Sequence, residues 1–238
     1  MANIFKKLIN KKTFKKEKAI THDEYEIIKL GMQYSMASWE RLFANLNSIK
    51  YLVDSQIEGS VVECGVWRGG SMLTMLETLS QCSDINREIY LYDTFTGMSA
   101  PSKKDGNFAH EKFKELQTGE EKSNWCCADI NDVKSTISLC DYPKEKIHFV
   151  KGKIENTVPR TIPDKIALLR LDMDWHDPTF HALTHLYPRV QPGGVLILDD
   201  YGHWDGCKKA VDCFLKENNI NILLNRIDYT GRIAIKIK

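Results

Sequence analysis

Apolar positions change their period along this chain, and the changes predict its elements. From residue 21 to about 55 the spacing is helical: Thr21 and Asp23 offer N-cap chemistry ahead of Tyr25, Ile27, Ile28 and Leu30, and Leu42, Leu46, Ile49 and Leu52 continue at intervals of three to four. Short apolar runs follow. Val61-Val62-Glu63-Cys64 ends at a glycine, and residues 88–92, 147–150, 165–171 and 195–198 read the same way. Helical stretches at 70–81, 130–139, 179–187 and 205–217 separate most of these runs. Strands alternating with helices predict βαβ units and a largely parallel sheet. Residues 220–224 and 232–237 flank the turn-like Asp228-Tyr229-Thr230-Gly231, which predicts a terminal hairpin. Residues 94–128 are polar and too long for a plain connection, so a lid or substrate loop is expected there.

Composition narrows the class. The chain has 238 residues, 42% apolar and 27% charged, values of a globular protein that exclude disorder throughout and a collagenous fibre. No run approaches the ~18 apolar residues of a membrane span, and no apolar segment of a secretory signal is expected at the N-terminus. Seven cysteines, an odd number with no CxxC pair, argue against a disulfide scaffold or a zinc ribbon. Reduced thiols in a cytoplasmic protein are expected, the adjacent Cys126 and Cys127 included.

The net charge of +1 hides an uneven distribution. Residues 1–20 carry seven lysines against Glu17, a net +6, which leaves −5 on the remainder. The chain is a mildly acidic domain with a basic arm, and no nucleic-acid partner is expected for the whole. Ile4, Phe5, Leu8 and Ile9 fall at helical spacing in the arm. Such a segment suits peripheral contact with an anionic membrane or with nucleic acid, and equally a solvated, frayed terminus.

Ligands of an open parallel sheet sit outside the carboxyl ends of its strands. The first strand runs into Gly65-Val66-Trp67-Arg68-Gly69-Gly70-Ser71. This is a glycine turn opening a helix, but not GxGxxG, which weakens a dinucleotide reading. With Glu63 ahead of it, the pattern E-x-G-x-x-x-G resembles the first motif of class I S-adenosylmethionine methyltransferases. The second strand ends at Asp93, where a carboxylate can accept both hydroxyls of a ribose. The fourth ends at Asp172, with Asp174 behind it, and the fifth at Asp199-Asp200. If these two strands are neighbours, about 4.8 Å apart, the acids converge and repel unless a cation neutralises them. An all-oxygen set suits Mg²⁺. A sugar or catechol hydroxyl is mostly protonated at neutral pH; a cation would stabilise its oxyanion and a carboxylate could take the proton.

The stretch LLRLDMDWHDPTFHALTHLYPRVQPGGVLILDDYGHWDGCKKAVDCF, with VVECGVWRGGS, LYDTFTGM and the ending NRIDYTGRIAIK, resembles the macrocin O-methyltransferase family over about residues 30–238. The resemblance implies a class I Rossmann-like fold with a seven-stranded, mostly parallel α/β sheet, a C-terminal antiparallel hairpin and an N-terminal helical extension. It also implies Mg²⁺-dependent methylation of a sugar hydroxyl and a homo-oligomer. Carried over by position, Glu63, Gly65, Arg68, Gly69, Gly70 and Ser71 fall in the cofactor loop. Asp93 would hold the ribose, with Thr94 and Phe95 beside it, and Lys153 and Ile154 would lie near adenine. Asp172, Asp199 and Asp200 match the metal ligands, and Asp172 also the general base. Tyr201, Trp204 and residues 206–210 follow the acidic pair as in the family. Met173 stands where many members have glycine, and Lys103 and Lys104 make the loop after the second strand more basic than usual. A basic rim suits an acidic glycan or a nucleotide-linked sugar, and a surface-polysaccharide sugar is as good an acceptor as an antibiotic.

His176 and His203 directly follow the two acidic strand ends and are candidates to touch substrate. His181 and His185, one helical turn apart, and His110 in the lid are expected to be structural. Tyr34 and Trp39 are expected to be core, although their segment could cover the methionine end of the cofactor. The division expected is a basic arm (1–20), a helical cap (21–56) and a methyltransferase domain (57–238). A catechol-type methyltransferase, an NAD-dependent oxidoreductase and a non-enzymatic binding module are the alternatives.

Overall fold

The computed structural model describes residues 14–238; the first four apolar positions of the basic arm lie outside them. Two helices, α1 (His22–Gly31) and α2 (Trp39–Asp54), come first. Then follow β1 (Ser60–Cys64), α3 (Gly70–Gln81), β2 (Ile89–Asp93), α4 (Asn107–Leu116), β3 (Gln117–Gly119), β4 (Lys122–Ser123), α5 (Ile130–Ile137) and β5 (Ile147–Lys151). The rest is α6 (Ile154–Thr157), β6 (Ile166–Leu171), α7 (His176–Leu186), β7 (Val190–Leu198), α8 (Asp205–Glu217), β8 (Asn225–Arg226) and β9 (Arg232–Ile235).

The main sheet has the order β5-β2-β1-β6-β7-β9-β8, with β3 and β4 forming a separate pair. The strands β5, β2, β1, β6 and β7 are parallel, and β9 runs antiparallel to both β7 and β8. Helices cover both faces, so every central strand is buried and its alternate residues feed opposite cores. Val61, Leu91, Leu168 and Ile197 pack with Leu52 of α2, Leu73 and Leu76 of α3, and Val133 of α5. Their neighbours Val62, Tyr92, Leu169 and Leu198 pack with Leu183 of α7 and Val211 and Phe214 of α8.

The N-terminal helical stretch is broken once. Thr21 and Glu24 form a reciprocal capping box on α1, and Ser38 caps α2 anew by accepting the Arg41 N–H. The pair has its own small core of Ile27, Ile28, Leu42 and Leu46, with Phe14 stacked between Tyr25 and Trp39. Residues 32–38 cross the front of α3. A Cβ on Gly70 would meet the Gly31 carbonyl oxygen at 2.3 Å, so glycine permits that crossing.

The terminal hairpin is displaced from its expected place. Residues 220–224 form no strand; the pairing is Asn225↔Ile233 and Arg226↔Arg232. Ile220 and Leu224 pack against the β6–β7–α8 core instead, so this apolar run serves burial rather than pairing. The 94–128 segment contains α4 and the β3–β4 pair, none of which its polar composition suggested. Its underside, Ala109, Phe113 and Trp125, packs on Trp175. All seven cysteines are free thiols. No helix of the described residues is long and apolar enough to cross a membrane.

Candidate functional site

Two loops and two acidic strand ends meet at the carboxyl edge of the sheet. Register explains the meeting. Cys64 pairs with Leu171, and Leu171 with Leu198, so the next residues, Gly65, Asp172 and Asp199, are adjacent. Backbone bonds extend the ladder past the strands: Asp172 N–H to Cys64 O and Asp199 N–H to Leu171 O, each 2.8 Å. Gly65 has φ +84°, and a Cβ there would fall 1.7 Å from the Asp172 carbonyl oxygen. The glycine loop and the acidic cluster are therefore in direct backbone contact, and only glycine fits between them.

The glycine loop is held from three sides. Asp93 accepts the N–H groups of Val66 (2.7 Å), Trp67 (3.2 Å) and Phe95 (2.7 Å). Burial raises the pKa of this carboxyl, and those three N–H groups pull against the rise. A carboxylate has about four lone-pair sites. The loop itself already uses three of them on Asp93, the residue expected to hold the ribose. Arg68, expected in the cofactor loop, is also engaged within the protein. Its guanidinium pairs with Asp132 of α5 at 2.8 Å and lies over the Tyr34 ring, so it clamps the loop to its neighbours. Ser71 is buried at the start of α3, within 3.3 Å of the Ser35 hydroxyl. Gly69 caps α3 in the left-handed region. Thr94 turns back onto Gly97 O at 2.7 Å, and Phe95 is buried. Lys153 reaches Glu121 at 3.0 Å, while Ile154, which opens α6, is buried.

Glu63 lies beneath the loop. It is fully buried and pairs with Arg170 Nη1 at 2.7 Å; its other oxygen has no partner among the described residues. Burial pushes its carboxyl up to about 8 against the pull of Arg170.

Ligand oxygens of Asp172, Asp199 and Asp200 come within 4.8 Å of one another, and no other group of three or more His, Cys, Asp or Glu among the described residues does so. The oxygens are not bare, which corrects the expectation that only a bound cation could neutralise them. Arg170 Nη2 bonds to Asp172 at 2.9 Å and also to Asp199. Arg41, from the first turn of α2, bonds to Asp199 through Nη1 and to Asp228 through Nε at 3.1 Å. Burial opposes the charge on both arginines, but the surrounding carboxylates hold both pKa values raised. Carboxyls still outnumber the two guanidiniums, since Glu63, Asp174 and Asp200 belong to the same cluster. Burial, then Asp199, lifts Asp172 to about 6; burial, then Asp172, lifts Asp174 to about 8; and burial with its three neighbours raises Asp200 well above the carboxylate range. Asp172 keeps 33% of its side chain open to solvent, against 3% for Asp199, so Asp172 is the acid that meets the cleft.

Neither histidine singled out beside the acids bonds to them. The His176 ring faces Asp177 (2.8 Å) and stacks on Phe180. His203 packs against Trp204 and Tyr229, and burial followed by the Arg41 charge lowers its pKa. His110 lies on Ser102 O, and His181 on Val158 O. Lys104 pairs with Asp177 at 2.8 Å, so part of the basic loop is neutralised locally.

Sequence reasoning missed Arg41, Arg170, Asp228, Trp125 and Cys126. Trp125, Trp175 and Trp204 make an edge-on cluster beside the acids, with centroids 5.0–6.0 Å apart. Trp67, Phe95, Cys126 and Asp174 all have φ between 46° and 58°. Four side-chain-bearing residues held in this costly region around one cleft mark a place where local structure is over-determined.

Residues 3–235 match the family described as Macrocin-O-methyltransferase (TylF). The chain belongs to the macrocin-O-methyltransferase family. It is 30% identical over 190 residues to the 8-demethyl-8-(2,3-dimethoxy-alpha-L-rhamnosyl)-tetracenomycin-C 4'-O-methyltransferase of Streptomyces olivaceus, covering 78% of this chain and 70% of that protein. It is 29% identical over 198 residues to the demethyldecarbamoylnovobiocin O-methyltransferase of Streptomyces niveus, covering 83% and 74%. The solved O-methyltransferase NovP superposes with a TM-score of 0.76 at 27% identity, over 86% of this chain and 83% of that one. This macrocin-O-methyltransferase relative is thus an S-adenosylmethionine-dependent O-methyltransferase of class I fold, and the seven-stranded sheet is the one that class uses.

Proposed function

We propose that this enzyme methylates a sugar hydroxyl of a glycosylated small molecule or glycan precursor, with Mg²⁺ at Asp172, Asp199 and Asp200. The carrying observation is the convergence of three carboxylates directly behind the glycine loop. The relatives' names supply the acceptor class: they are O-methyltransferases of tetracenomycin and novobiocin compounds. The donor set fits Mg²⁺, because it is all oxygen, partly open and holds more carboxyls than the two arginines pair. When bound, such a cation supplies stabilisation of the acceptor oxyanion.

The chain's own residues divide the rest. Gly65, Gly69, Gly70 and Ser71 form the turn on which the cofactor would rest, with Glu63 Oε2 a buried polar atom beneath it that has no partner among the described residues. Asp93 keeps the turn rigid and retains one lone-pair site for a ribose hydroxyl. Asp172 takes the acceptor's proton at a carboxylate oxygen: it is open to the cleft and mostly ionised at neutral pH. Holding acceptor and sulfonium in line supplies much of the remaining acceleration. In this reading residues 57–238 carry the reaction, 21–56 cap it and 94–128 close over the acceptor. The acceptor is open to both an antibiotic glycoside and a polysaccharide precursor, the setting is cytoplasmic, and the working form is a homo-oligomer that touches membrane, if at all, through its basic arm.

Calorimetric titration with S-adenosylhomocysteine, with and without Mg²⁺, tests the reading on the wild type and Asp199→Asn. Cofactor binding by both, with a Mg²⁺ signal in the wild type alone, is expected. Absence of cofactor binding would sink it. Comparing neutral with anionic glycosides then tests the basic rim; equal rates would remove that idea.

A further inference from the structure

Among the described residues two arginines bond to the acidic cluster, and Arg41 is the one from outside the sheet. Its partner Arg170 sits within β6, bonded to Glu63, Asp172 and Asp199 at once. Arg41 instead arrives on the first turn of α2. Two contacts to one aspartate set its reach: Asp228 accepts the Arg41 Nε–H at 3.1 Å and the Ser38 hydroxyl at 2.8 Å. Asp228 is itself fixed by the N–H groups of Thr230 and Gly231. The same hairpin bonds to the cluster's backbone, through Thr230 Oγ1 to Asp199 O at 2.7 Å. The guanidinium is thereby aimed at Asp199 Oδ2, an oxygen of one of the three convergent carboxylates.

We propose that Arg41 is a built-in counter-cation that competes with the divalent ion for Asp199, so that metal loading is coupled to the seating of the α2 N-terminus. This rests on the metal reading above. Asp199 has two oxygens. Arg170 holds Oδ1 and Arg41 holds Oδ2. A cation bridging Asp172, Asp199 and Asp200 must share or displace one of these contacts. Arg170 has three carboxylate partners, and leaving would strand the two buried ones, Glu63 and Asp199, at high cost. Arg41 keeps Asp228 when it releases Asp199, so Arg41 is the partner that yields. A positive charge beside the site also disfavours a second one there.

The test is titration of the metal-free enzyme with Mg²⁺ alone and with Mn²⁺ alone, by calorimetry and by electron paramagnetic resonance of free Mn²⁺. Wild type, Arg41→Met and Arg41→Lys are compared. Arg41→Met is expected to bind either ion at least tenfold more tightly than wild type. Arg41→Lys, which keeps the positive charge but lacks the fork that reaches Asp228 through Nε and Asp199 through Nη1, is expected to tighten binding by a smaller factor. The sign separates this role from a structural one, because damage to the fold weakens a metal site. Should Arg41→Met not fold, Arg41→Lys decides alone. Binding by a variant and not by wild type also supports the proposal. Unchanged or weaker binding in the folded variants, with wild type binding normally, overturns it and leaves the metal reading standing. No binding by any of the three overturns both.

Discussion

The two halves of the cleft are built on opposite plans. At the β1–β2 end the groups that hold the site are backbone: three N–H groups converge on Asp93, and glycine geometry lets the loop touch β6. At the β6–β7 end they are charges: Asp172, Asp174, Asp199 and Asp200 crowd together with Glu63 of the adjacent β1, and two arginines offset part of the repulsion. A backbone cradle is complete once the chain has folded. A cluster with more carboxyls than guanidiniums holds the excess as bound protons or as a bound cation, so its state depends on pH and on any cation present.

The largest effect should separate the halves cleanly. Asp172→Asn is expected to lower kcat by roughly 10²–10⁴ while leaving S-adenosylhomocysteine affinity within about threefold, an energy difference under ~0.7 kcal/mol. Loss of cofactor affinity in that variant would mean that the two ends are one site.

Next comes the cost of removing a buried counter-charge. Arg170→Met leaves Glu63 buried without its partner and Asp199 with Arg41 alone, and is expected to destabilise the fold by about 3–5 kcal/mol, read by denaturant unfolding. A loss below ~1 kcal/mol would show that the carboxyls simply take up protons. Asp93→Ala, by contrast, removes a backbone acceptor. It is expected to cost about 1–3 kcal/mol and to weaken cofactor binding before it affects Mg²⁺.

A pH series sharpens the contrast further. In the metal-free protein Asp172 titrates near 6, and Asp174 and Glu63 near 8, all above their ordinary values. The folded state then binds more protons than the unfolded state from about pH 4 to 8, and stability falls as pH rises through that window. Tm is expected to drop by about 3 °C or more between pH 5 and pH 8, and Mg²⁺ should restore more of it at pH 8 than at pH 5. A flat profile would place these carboxyls in contact with water.

The smallest effect is expected at the outer clamp. Arg68 and Asp132 are both more than a third exposed, so Arg68→Ala should cost under ~1 kcal/mol, with cofactor affinity changing by no more than a few fold. A tenfold loss would return Arg68 to the cofactor.

Much of this could be read along the chain. Period-two and buried runs marked β1, β2, β5, β6 and the end of β7, and the acids just past them marked Asp93, Asp172, Asp199 and Asp200. These are local signals: a strand ends, a polar residue follows, and a parallel sheet gathers such ends at one edge. The helices α4 and α6 were missed because their apolar faces are short and set among polar residues. The strand expected at 220–224 was misplaced because an apolar run covering α8 looks the same as one that pairs.

The residues past each strand thus follow from sequence alone, because hydrophobic period and turn chemistry are properties of neighbours in the chain. How those residues are charged does not. Arg41 lies 158 positions from Asp199 and Arg170 lies 107 from Glu63, and nothing in either local pattern names the other. Sheet register brought Asp172 beside Asp199, the capping of α2 at Ser38 aimed Arg41, and the hairpin placed Asp228 to hold it. Ion pairing falls off with distance through space, not along the chain, so only the folded molecule could decide which acids are neutralised and which remain in want of a cation.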